Sequence, residues 1–551
     1  MIPIKILCGC GQKYAFDVES TARLMGLAVQ CPSCGVDGTA AANEVLAQYS
    51  TPQPVRANGL QLRAQEAAPR SEIPLPPRAD FAPQHQQNQT RTRSFLPLLA
   101  ALVVVVLLVA GVVVGRKYLP RHSSATPIVM ANDGLPHTLD ELNAWYVEPP
   151  PGQNAARFYE QGIDAMQRAD VPNLPVVGKG KMPSVGAPLP PSIKSSIAAF
   201  LHSNREALQF FDQAASYQQC RYPADLTQGY DLILPYMPKL KEAMSLVELS
   251  AILHADDRDG KQAGRDVLVG LAMSRSLVAE PVLLSQFVRV STASIAVAAL
   301  EQTLNRTSLP PEVLNDLAKS FEQIGEFDSR GEPFNRALAA ERINAMIVLA
   351  APDKFLEKLS GSSGQLRMSS EERGQWIAAL QNSGRIKDQQ AYYEETFQQL
   401  MAARKAPFPE RLKCDGLIHE RIKDATGRSM ALATLLLHGL DARCPREAAC
   451  VAQFRLGLTA IALEQFRVAH ANHYPGSLSE LNGGQSAASS QLDPFDGESL
   501  RYQRKGSGYL LYSIGVDRRD DLGDRAKDIA FTVVNPPKPA GQGTGSSVAG
   551  L

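Results

Sequence analysis

An uncharged run from residue 95 to 115 constrains this chain of 551 residues more than any other feature. At about 1.5 Å of rise per residue, a helix of that length crosses a hydrocarbon core of about 30 Å. Pro97 falls in the first turn, where its missing N–H is tolerated. The run begins too far from Met1 for a cleaved signal peptide. The sequence therefore predicts one transmembrane helix over residues 95–115.

Half of the eight cysteines lie close to the N-terminus as two tight pairs. They are Cys8, Cys10, Cys31 and Cys34. Two close pairs of thiols on turns suit a tetrahedral zinc site, and four thiolates leave no position open for water, so we predict structural zinc. Residues 13–18 alternate like a strand. Residues 1–48 thus resemble the zinc-ribbon modules found at the front of bacterial membrane proteins. Four unrelated free thiols are the alternative.

Basic residues do not decide the orientation of the predicted transmembrane helix, because each flank carries three of them. A four-cysteine zinc site is best assembled in a reducing cytosol. We therefore expect a bacterial inner-membrane protein with its N-terminus in the cytoplasm and residues 122–551 outside, in the periplasm where there are two membranes. Residues 49–94, rich in proline, and 116–135 are interpreted as linkers. Outside the cytosol, a disulfide is expected among Cys220, Cys414, Cys444 and Cys450, and the sequence leaves the pairing open.

Residues 136–443 are predicted to form a mostly α-helical domain of αα-hairpins. Apolar residues recur at helical spacing over 192–217 and again from about Pro238. Pro311 and Pro333 sit where they would open later helices. No nucleophile elbow, zinc-protease motif or phosphate-binding loop occurs, so we predict no catalytic residues and no enzymatic activity. Equal numbers of acidic and basic residues, 56 of each, argue against a general nucleic-acid-binding surface.

The most informative pattern lies between residues 444 and 534. A helix ends shortly before Tyr474-Pro475, and an Asp-Pro-Phe turn follows at 493–495. Segments 500–503 and 509–514 are strand-like and joined by a glycine-containing turn, which predicts a hairpin. An acidic loop comes next and closes on Asp528-Ile529.

This order of features resembles the globular domain of the major pseudopilin of type II secretion, so we expect an α+β fold over 444–534. In that family the acidic loop binds calcium. Carried over by position, the resemblance implies ligands from the Asp517 and Asp528 carboxylates and the carbonyls of Ile514 and Arg519, with Asp521 and Asp524 as further candidates. Independently, five carboxylates within 12 residues can wrap a hard cation. The alternative is a solvated acidic loop.

The chain also departs from that family. The predicted transmembrane helix lies over 300 residues upstream of the module, and no pseudopilin-type processing site precedes it. We therefore do not expect assembly into a pilus. The tail, residues 535–551, is rich in Pro, Gly and Ser and is expected to be disordered.

The predicted architecture is multidomain: zinc ribbon, transmembrane helix, helical domain and pseudopilin-like domain. Because no catalytic motif accompanies them, the sequence favours a membrane-anchored, non-enzymatic envelope protein. It would bind a protein partner through its extracytoplasmic domains. One alternative is an accessory component of a type II secretion or pilus-like system. Another is an extracytoplasmic enzyme whose site is assembled from distant residues. The sequence does not decide the oligomeric state.

Overall fold

The computed structural model covers the full chain and describes a defined set of residues. These are 2–7, 13–18, 133–167, 174–352, 355, 374, 378, 385–440, 444–481, 491–534 and 536–537. Two compact units divide the chain, Met1–Asp80 and Phe81–Leu551. The predicted transmembrane helix, the four zinc-ligand cysteines, the proline-rich linker and nearly all of the tail lie outside the described residues.

The first unit contains an antiparallel pair of strands. Strand β1 is Ile2–Leu7 and β2 is Lys13–Val18. The strand predicted over 13–18 is therefore confirmed. Cys8 and Cys10 fall between the two strands in sequence, where nothing is described, so the zinc ribbon stays a prediction.

The second unit is mostly α-helical, as predicted. Its helices are α1 Leu139–Trp145, α2 Ala156–Ala165, α3 Pro191–Ser203, α4 Arg205–Ala215, α5 Tyr236–Asp256, α6 Gly260–Arg275, α7 Leu283–Leu304, α8 Pro311–Arg330, α9 Glu332–Ala350, α10 Arg385–Ala403, α11 Lys413–Gly427, α12 Ala431–His438 and α13 Cys444–Ala469. Short 3₁₀ turns lie at Leu226–Asp231, Glu410–Leu412 and Leu478–Glu480. Three strands follow α13: β3 Arg501–Lys505, β4 Gly508–Ser513 and β5 Ile529–Val533.

Local sequence explains where several helices begin and end. Pro311 takes the first position of α8, where no N–H is needed. The Asp259 side chain accepts from the Gln262 N–H and so caps α6. Gly331 ends α8 with a left-handed conformation, φ 75°. One expectation differs: the helix predicted over 192–217 is two helices, because Asn204 leaves helical geometry at φ −102°, ψ 14°.

Helix α7 lies at the centre of the second unit. It packs against α5 and α6 on one side and α13 on another, and it also contacts β5. Among the described residues it is the one helix long and apolar enough to cross a membrane, with a mean hydropathy of 1.5. Its Arg289 is fully buried and paired with Asp328, as expected of a core helix in a folded domain.

The C-terminal part combines helix and sheet. Strands β3, β4 and β5 form an antiparallel sheet in that order, with β4 central and fully buried. The predicted hairpin is therefore present, and β5 is an additional strand that the sequence analysis did not identify. Helix α13 packs on β4 and β5 with one face and on α8 and α7 with another. One hydrophobic core consequently includes Leu240 of α5, Phe454 of α13 and Leu511 of β4.

Candidate acidic-loop site

The acidic loop, residues 514–528, connects β4 to β5, and a buried carboxylate holds its first residue. Asp493 is fully buried. Its Oδ1 accepts from the Phe495 N–H at 3.0 Å and the Ser513 hydroxyl at 2.9 Å. Its Oδ2 accepts from the Ile514 N–H at 2.9 Å. Burial raises the pKa of Asp493, although these hydrogen bonds oppose the shift. The Asp-Pro-Phe turn thus fixes the point where the loop leaves the sheet.

Arg501, on β3, forms ion pairs with Asp493 and with further carboxylates beside this turn. It pairs with Asp493 at 3.2 Å and makes two contacts with Asp496. Its Nε lies 3.8 Å from an oxygen of Asp520, which also accepts from the Tyr512 hydroxyl at 3.0 Å. The sequence analysis named neither Arg501 nor Asp520 as site residues. The position of Arg501 in a strand could be predicted from the sequence, but its contact with the acidic loop could not.

Two glycines allow the loop to close tightly. Gly515 adopts φ 70°, and a Cβ there would lie 2.6 Å from the carbonyl oxygen of Lys527. Gly523 adopts φ 82°, and a Cβ there would lie 2.7 Å from the Leu510 side chain. Both the backbone conformation and the space exclude larger residues. The two ends of the loop are therefore in contact.

Backbone hydrogen bonds along the loop link three of the predicted calcium-ligand residues. The Asp528 N–H donates to the Asp524 carbonyl at 2.7 Å, and the Asp524 N–H donates to the Asp521 carbonyl at 3.2 Å. Asp517 is exposed, and its Oδ1 accepts from the Arg519 N–H at 3.1 Å. In the part of the chain that the structure describes, no three acidic, histidine or cysteine side chains converge as a metal site. A cation here would depend on backbone carbonyls as well as carboxylates.

Two carboxylate oxygens in the loop are buried without a hydrogen-bond partner. They are Asp521 Oδ2 and Asp528 Oδ1. Asp528 is only 4% exposed, and its other oxygen accepts from the Gly523 N–H at 2.7 Å. Burial, with the charges of Asp520 and Asp521, raises the pKa of Asp528. The remaining oxygen of Asp521 pairs with Lys527 Nζ at 2.7 Å. Buried oxygens without partners are costly, so these two atoms are acceptor positions that the described part of the chain leaves unfilled.

The far end of the loop is fixed to the helical core. Arg525 makes two contacts with Glu301 of α7, one of them at 3.1 Å. The same Glu301 accepts from the Thr532 N–H of β5 at 2.6 Å. Glu301 is 6% exposed, whereas the Arg525 side chain is 44% exposed, so only the carboxylate of the pair is withdrawn from water. The loop is thus braced at Asp493, at Gly515 and at Glu301.

Between these braces the loop presents apolar side chains to solvent. Val516 is 57% exposed and Leu522 is 77% exposed. Leu522 and Arg518 also have positive φ, 59° and 56°, which non-glycine residues seldom adopt. Their surroundings carry both signs of charge, since four aspartates and four basic residues lie in the same stretch: Asp517, Asp520, Asp521, Asp524, Arg518, Arg519, Arg525 and Lys527. The loop therefore combines exposed apolar groups with charges of both signs.

A second titratable group, Glu280, lies in the helical part and bears on the enzyme alternative. Its carboxylate is fully buried and accepts from the hydroxyls of Tyr236 at 2.7 Å, Ser285 at 2.9 Å and Tyr146 at 3.4 Å. Burial raises the pKa of Glu280 to about 7, although these hydrogen bonds oppose the shift. A carboxyl enclosed by its own hydroxyl partners has no face toward a substrate.

Other acidic residues near helix ends are also paired. His254 Nδ1 lies 2.7 Å from Asp266 Oδ2. Asp256 and Asp257 both pair with Lys194, at 2.7 and 2.5 Å. These groups join neighbouring helices and turns.

Comparisons with known proteins assign this chain to no family. No protein-family model, no curated protein and no solved structure matches it. What the chain does must therefore be argued from its own residues.

Proposed function

We propose that this chain is a membrane-anchored, non-enzymatic envelope protein that binds a protein partner through its acidic loop. The region beyond residue 122 lies outside the cytoplasm in this proposal. The observation that carries it is the exposed pair Val516 and Leu522 on a loop that is otherwise firmly held. Apolar side chains on a braced, strained loop favour binding, since folding alone gains nothing from exposing them.

The charge of the loop indicates what the partner looks like. Acidic and basic side chains both lie beside the two apolar side chains, so a complementary surface would offer an apolar pocket with a rim of both signs of charge. Holding the loop in one conformation reduces the entropy lost on binding. The bracing by Asp493 and by the Arg525–Glu301 pair would then serve affinity as well as stability.

Site-specific crosslinking in membranes tests the proposal. A photoreactive amino acid is placed at Leu522 of the full chain, and a matched one at Ile233, which is 79% exposed in the helical part. We expect a discrete crosslinked protein from position 522 and none from position 233. Equal crosslinking from both positions, or none from 522, would contradict loop-specific binding.

The orientation is tested separately by reporter fusions. A reporter active only outside the cytoplasm is fused to the C-terminus in one strain and after Ser50 in another. Activity from the C-terminal fusion alone supports the proposed placement. Activity from the Ser50 fusion alone overturns it.

Calcium is a second part of the proposal. Asp521 and Asp528 would hold the ion with backbone carbonyls of the loop, as the two unpartnered carboxylate oxygens suggest. Burial, with the charges of Asp520 and Asp521, raises the pKa of Asp528, and a bound ion would oppose that shift. Zinc at Cys8, Cys10, Cys31 and Cys34 remains a proposal from the sequence, because those residues lie outside the described part.

A second candidate is an accessory role in a type II secretion or pilus-like system. The packing of the long helix α13 on an antiparallel sheet, with an acidic loop before the last strand, favours it. Under this reading the protein crosslinked at position 522 would be a pseudopilin. The same crosslink in membranes that contain no pseudopilin would exclude the accessory role and leave the general proposal intact.

A further inference from the structure

Two cysteines that are 30 positions apart in sequence meet at the beginnings of two helices. Cys414 is the second residue of α11 and Cys444 is the first of α13. Both are buried, at 1% and 3% exposure, and both line one narrow crevice, where each thiol acts on the pKa of the other. Leu338, Leu400 and Leu440 also line this crevice. Both are free thiols in the structure.

Positive charge surrounds this pair. Arg404 Nη1 donates to Cys444 Sγ at 3.3 Å, and Arg404 Nη2 donates to Glu447 at 2.8 Å. Arg411 donates to the other oxygen of Glu447 at 3.0 Å. These three charged side chains are buried, so two guanidinium groups share one carboxylate. The partial positive charge of two helix N-termini adds to the excess.

This environment favours a thiolate, which is the reactive form of cysteine. Contact with Cys444 lowers the pKa of Cys414, and the guanidinium of Arg404 lowers it further. The pKa of Cys444 is raised, since it keeps the proton that it shares with its neighbour. The pair therefore favours one thiolate beside one thiol, with the Arg404 guanidinium against it.

We propose that Cys414 and Cys444 are oxidised to a disulfide in the mature protein, joining the start of α11 to the start of α13. The proposal rests on the extracytoplasmic placement proposed above, because disulfides persist in oxidising compartments. The oxidant is a thiol–disulfide exchange partner, such as glutathione disulfide or the disulfide of an oxidoreductase.

The exchange proceeds in two steps that balance. The thiolate of the pair attacks one sulfur of the oxidant, breaks its S–S bond and releases one thiolate. The other cysteine, after losing its proton, then attacks the protein sulfur of the mixed disulfide and releases the second thiolate. The two protein thiols lose two electrons, the oxidant becomes two thiols, and the two protons pass to the released thiolates.

The remaining cysteines of this region differ. Cys450 is fully buried, and burial raises the pKa of its thiol. Burial also raises the pKa of Cys220. Among the described residues neither thiol lies against another cysteine, so both are expected to stay reduced.

Disulfide mapping of the full chain tests the pairing in two arms. In the first, free thiols are alkylated as membranes are lysed, and peptides are mapped without reduction by mass spectrometry. In the second, the detergent-purified, reduced chain is equilibrated with glutathione disulfide and mapped in the same way. We expect a peptide crosslinked between Cys414 and Cys444 in both arms. Each single variant, Cys414→Ser or Cys444→Ser, should lose it, and Cys220→Ser should keep it.

The outcomes test the Cys414–Cys444 pairing separately from the extracytoplasmic placement of this region. No Cys414–Cys444 crosslink in the second arm, or a crosslink to Cys450 instead, overturns the pairing. A crosslink in the second arm alone overturns the disulfide in the cell, and the reporter fusions then show whether the proposed placement failed with it. Reduction of the oxidised wild type should also lower its Tm by roughly 5 °C, with no change in Cys414→Ser.

Discussion

The helical core and the acidic loop both contain many charges, and they use them differently. In the core, Arg289 and Asp328 are fully buried and joined by two hydrogen bonds, of 2.8 and 2.5 Å. In the loop, Lys527 and Asp521 pair at 2.7 Å but remain 52% and 23% exposed. The charges of the core pair neutralise each other and so allow both side chains to be buried. The loop leaves one oxygen of Asp521 and one of Asp528 buried without a hydrogen-bond partner.

The largest expected effect comes from breaking the buried core pair. Asp328→Asn should lower the free energy of unfolding by about 3–5 kcal/mol, because it leaves the Arg289 guanidinium buried without a counter-charge. The matched control is Glu326→Gln on the same helix. Glu326 pairs with Arg330 in solvent, so it should change stability by less than about 0.5 kcal/mol. Denaturant titration of the full chain in detergent measures both, and equal effects would contradict the comparison.

A second core prediction concerns pH. Because the folded-state pKa of Glu280 is about 7 and its usual value is 4.5, the folded chain retains a proton that the unfolded chain releases. Its contribution is complete below pH 4.5 and is lost as pH rises through 7, a span of up to about 3 kcal/mol. Glu280→Gln should therefore flatten the fall in stability between pH 5 and 8. Parallel curves for wild type and variant would refute the assignment.

In the loop, substitution of Gly515 should disturb the contact between the two loop ends, and substitution of Gly506 in the hairpin turn is the control. Gly515→Ala should cost about 2 kcal/mol or more, because it meets both a positive φ and the Lys527 carbonyl. Gly506, in the hairpin turn, has φ 60° and nothing near its Cβ position, so Gly506→Ala should cost about 1 kcal/mol. Thermal unfolding compares the two. A smaller loss at Gly515 would mean that the loop ends are not held together.

The smallest expected effect is the gain from calcium. At millimolar calcium the wild type should be stabilised by about 1 kcal/mol, as for weak extracellular sites. Asp528→Asn should abolish that gain, whereas Asp212→Asn, at an exposed ion pair in the helical part, should keep it. Thermal unfolding with calcium and with chelator measures the difference. Equal gains in all three proteins would indicate that calcium binds elsewhere.

Much of the fold could be predicted because its signals are local. The glycine-containing turn at 505–508 and the strand-like segments beside it identified the β3–β4 hairpin. Pro311 and Pro333 marked the beginnings of α8 and α9. Strand β5 was missed, since its five residues follow the acidic loop without a turn signal of their own. Its pairing with β4 depends on packing, which no short window of sequence contains.

The site could be predicted only in part, for the same reason. The acidic residues of the loop are adjacent in sequence, so their clustering was evident. The groups that brace them are not: Glu301 lies more than 200 residues before Arg525. The meeting of Cys414 and Cys444 is likewise a product of the tertiary fold. Sequence patterns identify groups that are close along the chain, and they do not reveal which distant groups will face them.

Helix α13 is shared by two parts of the second unit, because it packs on the sheet with one face and on α8 and α7 with another. Cutting the gene at residue 443 would leave the helical part with an open apolar groove and the sheet with a helix whose other face is bare. Recombination could not readily exchange one part without the other. The C-terminal module and the helices before it should therefore have been inherited together, and sequence change at their shared helix should be constrained from both sides.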